Sequence, residues 1–263
     1  HWDGQKTEVS LAYVFTPEKV GAEGITLLMT TDRNSEPDQP GSYHFRPPFG
    51  WMNDPNGFGR FHGLGHLFYQ HHPHGRRWDT MHWGHAVSDD FLHWRHQPVF
   101  LLPPEVFATE PGLRGGAFSG SAMEAEGGGL RVFFTDHVDD REPEQEMQAT
   151  ALSRDGLRLE PPVTILPSRP EGLGLTRDFR DPFVLKGPDG RWQMLLGSRD
   201  KSAGVVLLYT TDDPSGVSGW QFTATLLREE RYGMTAAECP CLVPLDGPAE
   251  DPATRWGLFF GLL

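Results

Sequence analysis

Short hydrophobic runs, many alternating with polar residues, are separated by glycine, proline and aspartate along most of the chain. Most are four to eight residues long and rich in Val, Phe, Tyr, Trp and Thr, which is typical of β-strands. We predict strands at His66–His71, His82–Ser88, Leu130–Asp136, Met147–Ser153, Phe183–Lys186, Trp192–Ser198, Val205–Thr210 and Arg255–Leu262. No long amphipathic helix is evident, although 89–94 suggests one helical turn with Asp89 as its N-cap. The pattern favours an all-β propeller or sandwich.

Length and charge limit the possible partners. A chain of 263 residues can bury a large core as one all-β domain. Its net charge of −13 would repel nucleic acid and anionic membranes, but it does not exclude neutral sugars. No apolar run approaches the roughly 18 residues that cross a bilayer. We therefore expect a small molecule or oligosaccharide as partner, and neither nucleic acid nor membrane.

The two cysteines and the N-terminal residues bear on the compartment. Cys239 and Cys241 are two residues apart, a spacing that suits a disulfide poorly, and this fits a reducing compartment. The first residues lack the basic and apolar regions of a signal peptide. Both observations favour the cytoplasm and leave secretion open.

Three acids stand beside proline-containing turn signals. Asp54 lies in WMNDPNG (residues 51–57), Asp181 precedes Pro182, and Glu238 precedes Cys239-Pro240. Pro fixes its own φ and Asn-Gly accepts positive φ, so these signals predict turns. We predict a site built from several loops on one face. Taken singly, DPNG is a hairpin connection and Asp181 a salt-bridge partner of Arg180.

Six segments, in this order, resemble glycoside hydrolase family 32, the invertase, inulinase and levanase group. They are Gly50–Gly57, Phe68–Gln70, Trp83–Ser88, Phe118–Ala122, Arg180–Pro182 and Glu238–Pro240. WMNDPNG is highly specific, whereas RDP and ECP are specific only in that order. The resemblance begins near residue 43, and residues 1–42 form an N-terminal extension of unclear role. It implies a five-bladed β-propeller with the acids around its central funnel.

The expected propeller is larger than this chain. A blade of four strands takes about 50–60 residues. Residues 43–263 therefore predict a partial catalytic propeller of about three and a half blades, without the family's C-terminal β-sandwich. We expect a further polypeptide segment to complete it. The alternative is a variant that closes with fewer blades and uses residues 1–42 as strands.

The resemblance implies retaining hydrolysis of terminal β-D-fructofuranosides in sucrose or fructans. In such an enzyme, one ionised carboxylate attacks the anomeric carbon and a protonated carboxyl about 5–5.5 Å away protonates the leaving oxygen. By resemblance, Asp54 is the nucleophile, Glu238 is the acid/base and Asp181 binds fructosyl hydroxyls. The nucleophile must be ionised while the acid keeps its proton, so the two carboxyls need different pKa values. We therefore expect a raised pKa for Glu238. Arg180 is expected either to lower the pKa of Asp181 or to tether Glu238.

The expected substrate-binding residues combine amides, aromatic faces and family positions. Amides suit sugar hydroxyls and indole faces suit sugar rings. The full set is Asn53, Gln70, Trp51, Trp78, Trp83, Phe118, Ser119 and Arg180. Core packing is the alternative for each tryptophan, and Trp78 is supported only by its spacing.

Histidines are the main competing signal. Nine of the twelve lie between His62 and His96, and His72 and His74 would share a face if Pro73 allowed a strand there. We expect no metal and no cofactor, because the implied chemistry needs none and no water-activating acid is placed nearby. His85 is expected to support the pocket wall. A fructosyltransferase and a non-catalytic sugar-binding propeller remain as alternative functions.

Overall fold

The computed structural model describes residues 44–110, 112–230 and 235–262. The expected extension over residues 1–42 lies outside the described residues. The described chain forms one turn of helix, α1 (Val106–Thr109), and antiparallel strands. The strands are β1 (Trp51–Phe61), β2 (Leu64–His72), β3 (His82–Ser88), β4 (Arg95–Leu101), β5 (Gly115–Glu124), β6 (Leu130–Val138), β7 (Glu146–Ser153), β8 (Val163–Leu166), β9 (Phe179–Lys186), β10 (Trp192–Arg199), β11 (Gly204–Thr211), β12 (Gln221–Glu229), β13 (Ala237–Pro244) and β14 (Trp256–Leu262).

Each sheet is built from consecutive strands. β1–β4, β5–β8 and β9–β12 form three four-stranded antiparallel sheets, and β13 pairs with β14. Short connections suit this order, because antiparallel neighbours can be joined by tight hairpins. The expected all-β class is confirmed, and each predicted strand overlaps an observed one. No described helix is long and apolar enough to cross a membrane.

Successive sheets pack through their first strands, β1 against β5, β5 against β9 and β9 against β13. The cores lie between neighbouring sheets. Side chains alternate between the two faces of a strand. In β10, Met194 and Leu196 therefore pack toward the second sheet, whereas Leu195 packs toward β13. This arrangement fixes the first strands relative to one another.

The predicted helical turn at residues 89–94 is wrong. The segment is a series of bends in which Asp90, and not Asp89, accepts hydrogen bonds from the backbone of Leu92 and His93. Phe91 has a φ of 62°, which a right-handed helix does not allow. Asp89 pairs instead with Arg95.

Candidate active site

The first strand of each sheet carries one residue of a polar cluster: Asp54 in β1, Ser119 in β5, Asp181 in β9 and Glu238 in β13. Because the first strands pack side by side, residues far apart in sequence meet there. The prediction that the three acids lie on turns is wrong, since all three lie within strands. The three acids lie near the start of their strands, and these first strands pack side by side, so the acids share one end of the sheets.

Each of these strands is irregular where it carries the cluster. The pairing register shifts so that two residues lie opposite one on the neighbouring strand. The bulged pairs are Asn53–Asp54, Phe118–Ser119, Asp181–Pro182 and Cys239–Pro240. A bulge bends its strand and re-aims a side chain. Asp181 (φ 61°) and Cys239 (φ 46°) also adopt the left-handed conformation, which is uncommon outside glycine and frequent at functional sites.

Asp54 is held by a neighbouring sheet. Ser119 Oγ donates a 2.8 Å hydrogen bond to Asp54 Oδ2. The Cys239 thiol lies 3.8 Å from the same oxygen. Both cysteines are free, and Cys239 lies beside the acids.

Asp181 is 5% exposed, and its surroundings alter its titration. Burial raises the pKa of its carboxyl to about 7, against the opposing effect of the Arg180 charge and of the Cys239 backbone N–H. That N–H donates a 2.9 Å bond to Asp181 Oδ2. The Asp181 N–H donates to Thr135 Oγ1 at 3.0 Å, which fixes the backbone of the bulge.

Glu238 is tethered by Arg180. Nε and Nη2 of Arg180 both lie 3.1 Å from Glu238 Oε1, which confirms the expected tether. Burial raises the pKa of Glu238, the Arg180 charge opposes this shift, and the Asp54 carboxylate adds to it. The expected raised pKa of Glu238 is therefore confirmed, while the raised pKa of Asp181 was not anticipated.

Arg180 has a second set of partners behind the cluster. Its Nη1 donates to Glu146 Oε1 at 2.7 Å and to Asp178 Oδ1 at 3.0 Å. Burial alone would lower the pKa of Arg180, but the charges of Glu146, Asp181 and Asp178 raise it above its ordinary value. Glu146 is fully buried in β7 and was missed in the sequence. The signal in the sequence was the glutamate immediately before the predicted strand Met147–Ser153. If the strand buries that side chain, the glutamate needs a partner, because a buried glutamate is almost always paired.

The two amides and three of the four predicted aromatic residues lie near the cluster. Asn53 Oδ1 accepts from Trp51 Nε1 at 2.8 Å, and buried Gln70 donates from Nε2 to the Ala117 carbonyl at 3.0 Å. The half-buried Phe118 ring stacks on His137 with centroids 4.0 Å apart, and Trp78 meets Phe118 edge-on at 6.0 Å. Arg114 lies over the Trp78 ring at 5.6 Å.

Trp83 is placed differently from expectation. It is fully buried in the core between the first two sheets, so neither indole face is open to a sugar. Its Nε1 donates to the Phe118 carbonyl at 3.0 Å. Trp83 thus contacts the backbone beside Ser119 without presenting a stacking surface.

The histidines pack among themselves and against carbonyls. The His72 and His82 rings both face the Thr80 carbonyl through Nδ1, at 3.0 and 3.1 Å. His85 stacks on Phe68 in the core, with centroids 4.4 Å apart. Among the described residues, no group of three or more His, Cys, Asp and Glu side chains is arranged to hold a metal ion. A cavity of about 520 Å³ lies toward the other end of β9, beside Lys186 and Trp192, and none of the three acids lines it.

Comparison with known proteins gives a consistent result. The model of the family described as glycosyl hydrolases family 32, N-terminal domain, matches residues 44–262. A sucrose-6-phosphate hydrolase of Escherichia coli is 39% identical over 204 residues, which cover 75% of this chain and 40% of that relative. A raffinose invertase of Escherichia coli is 40% identical over 204 residues, with the same coverage.

Among solved structures, the exo-inulinase of Aspergillus awamori is similar to this chain with a TM-score of 0.69 and 29% identity. The match covers 86% of this chain and 47% of that one. This chain therefore spans less than half the length of these relatives.

Proposed function

This chain belongs to glycosyl hydrolase family 32, and from that premise we propose that the protein hydrolyses terminal β-D-fructofuranosides with retention of configuration. The single observation that carries the proposal is the convergence of Asp54 and Glu238 from the first and last sheets. Asp54 Oδ2 lies 3.8 Å from the thiol of Cys239, the residue that follows Glu238. The Asp54 charge also raises the pKa of Glu238. Retaining glycosidases need this kind of carboxyl pair.

Asp54 acts as the nucleophile in this proposal. One of its oxygens attacks C2 of the fructosyl ring while the bond from C2 to the leaving oxygen breaks. The Ser119 hydroxyl supports the role, because it holds Oδ2 and thereby orients the carboxylate. Orientation of a nucleophile before attack lowers the entropic part of the barrier.

Glu238 acts as the acid and then as the base. Its proton passes to the leaving oxygen in the first step. In the second step, Glu238 takes a proton from the water that attacks C2, and the bond from C2 to Asp54 breaks. The raised pKa of Glu238 supports this role, because an acid must hold its proton near the working pH.

The remaining residues bind the sugar. Asp181 accepts hydrogen bonds from fructosyl hydroxyls, and Arg180 holds Glu238 in place. Asn53, Gln70, Trp51, Trp78, Phe118 and Ser119 supply the rest of the pocket. Trp83 supports Phe118 from the core instead of contacting substrate.

The architecture that we propose is a five-bladed propeller, with each four-stranded sheet as one blade and β13–β14 as part of a fourth. The catalytic domain begins near residue 43, and a further polypeptide segment supplies the remaining strands. The outward-facing apolar side chains of Leu226 and Phe259 support this, because they are expected to be covered. Solved relatives are about twice as long.

The proposed substrates follow from the substrates for which the relatives are named. One relative is named for sucrose 6-phosphate, one for raffinose and one for inulin. We propose sucrose or a fructan as substrate and assign no preference between them. No metal or cofactor takes part in the proposed steps.

The test is fructose release from sucrose, inulin and levan by the full-length protein, followed by NMR from the first turnovers. The expected first product is the β-anomer of fructose. Release of the α-anomer would overturn the retaining mechanism, and no release from any of the three substrates would overturn the proposed activity.

A further inference from the structure

Glu146 is the most completely buried charged group next to the cluster, and neither step of the proposed reaction uses it. Its exposure is 0%, and three donors meet it from two neighbouring strands. Arg180 Nη1 lies 2.7 Å and His137 Nδ1 2.9 Å from Oε1, while the Phe179 backbone N–H donates to Oε2. Burial of a carboxylate costs folding free energy unless the carboxylate is fully paired. The three donors around Glu146 supply that pairing.

Arg180 links this buried carboxylate to the cluster. The same guanidinium contacts Glu146 through Nη1 and Glu238 through Nε and Nη2. Because a guanidinium is planar and rigid, fixing one nitrogen fixes the direction of the others. Asp178 also meets Nη1, but it is partly exposed and lies on the same segment as Arg180.

We infer that Glu146 is a positioning residue for the acid/base: it holds Arg180 against Glu238 and offsets part of the Arg180 charge. This inference rests on the proposed fructosidase function. Without such a counter-charge, the Arg180 charge would lower the pKa of Glu238 further. Glu238 would then be ionised and could not donate a proton. The charged groups that face Glu146 are Arg180 and His137 in direct contact, Asp181 and Glu238 through their charges, and, beyond His137, Asp139 at 2.7 Å from its Nε2. Those that face Glu238 are Arg180, Asp54, Asp181 and Glu146.

The predicted consequence has a definite sign. In Glu146→Gln a negative charge is lost and the Arg180 charge is less compensated, and both changes lower the pKa of Glu238. The alkaline limb of the kcat/KM profile should therefore move to lower pH. Turnover of sucrose should fall about 10²-fold, whereas an aryl fructoside, which needs little protonation, should lose less than about tenfold.

Thr150→Val is the matched structural control. Thr150 is buried in the same strand, β7, and its hydroxyl donates a 2.8 Å bond to the Val132 carbonyl, away from Arg180 and the three acids. It should lower the melting temperature without moving the alkaline limb. Glu146→Asp, which keeps the charge but shortens the side chain, should leave the limb in place and slow sucrose more than the aryl fructoside.

A carboxyl ¹³C NMR titration of Glu238 in the full-length protein provides a readout that needs no turnover. A lower pKa in Glu146→Gln than in wild type is expected, and an unchanged pKa would overturn the inference. If wild type releases no fructose but this pKa still shifts, the proposed function fails and the coupling stands. Should Glu146→Gln not fold, equal losses of Glu146→Asp on both substrates would overturn the inference.

Discussion

Ser119 Oγ donates a 2.8 Å hydrogen bond to Asp54 Oδ2, and this bond joins the first strands of two different sheets. The cluster is therefore fixed by contacts between sheets and not within one hairpin. The same is true of Arg180 with Glu238 and of the Cys239 N–H with Asp181. A substitution that breaks one of these three contacts should therefore affect the proposed reaction.

Asp54→Ala should abolish almost all turnover, with a loss of at least about 10³-fold, because it removes the proposed nucleophile. Folding should persist, since Asp54 is only partly buried. Steady-state kinetics with circular dichroism would measure both. Asp189→Ala is the control: this exposed residue pairs with Arg191 in a distant turn and should leave turnover unchanged. Activity of Asp54→Ala within tenfold of wild type would remove Asp54 from the nucleophile role.

Ser119→Ala should cost about tenfold in kcat, because a hydrogen bond to a charged group contributes roughly 1.5–3 kcal/mol and only part of it is catalytic. The loss should be far smaller than that of Asp54→Ala. The control is Ser121→Ala on the same strand, whose hydroxyl bonds the Pro182 carbonyl and the Val184 N–H. That variant should change the melting temperature more than the rate. Equal kinetics of both serine variants would contradict an orienting role for Ser119.

Glu238→Gln should cripple hydrolysis of sucrose by about 10²–10⁴-fold, because the amide cannot protonate the leaving oxygen. A fructoside with a good leaving group should lose much less. The two substrates are compared on one enzyme preparation, so the activated substrate is its own control for folding. Equal losses on both would exclude Glu238 as the acid.

Asp181→Asn should be inactive yet more stable at neutral pH than wild type. The folded pKa of about 7 lies above the ordinary 3.8, so the native state keeps a proton that the unfolded state has lost. Wild-type stability therefore falls as pH rises from about 4 to about 7, and the amide removes that dependence. Melting temperatures at pH 4 to 8 should show the variant gaining on wild type as pH rises. A difference that does not vary with pH would contradict the raised pKa.

Residues 1–263 produced alone should melt at low temperature, bind a hydrophobic dye and show little activity. In the described part of the chain, β14 pairs on one side only and Phe259 is 56% exposed. Unpaired strand edges and apolar patches promote association. Size-exclusion chromatography and thermal melting, with the full-length protein as reference, would measure this. A sharply melting and fully active monomer would contradict the proposed partial propeller.

The strands and the family were predictable from the sequence, but the local placement of the acids was not. Alternation of apolar and polar residues located β3 at its observed bounds. Asp-Pro-Asn-Gly predicted a turn because its local preferences are those of a turn, whereas pairing with β2 holds it in a bulged strand. Glu146 was missed because a single glutamate carries no periodic signal, and its partners come from β6 and β9.

The left-handed backbone at Asp181 also limits which sequences can descend from this one. At a φ of 61°, glycine, asparagine and aspartate are tolerated, while most other side chains clash with the backbone. Two of those three residues have no acidic group. Drift at this position under selection for folding alone would therefore lead first to Asn or Gly. A descendant with such a residue would keep its architecture after it had lost the acid that we propose as the partner of the fructosyl hydroxyls.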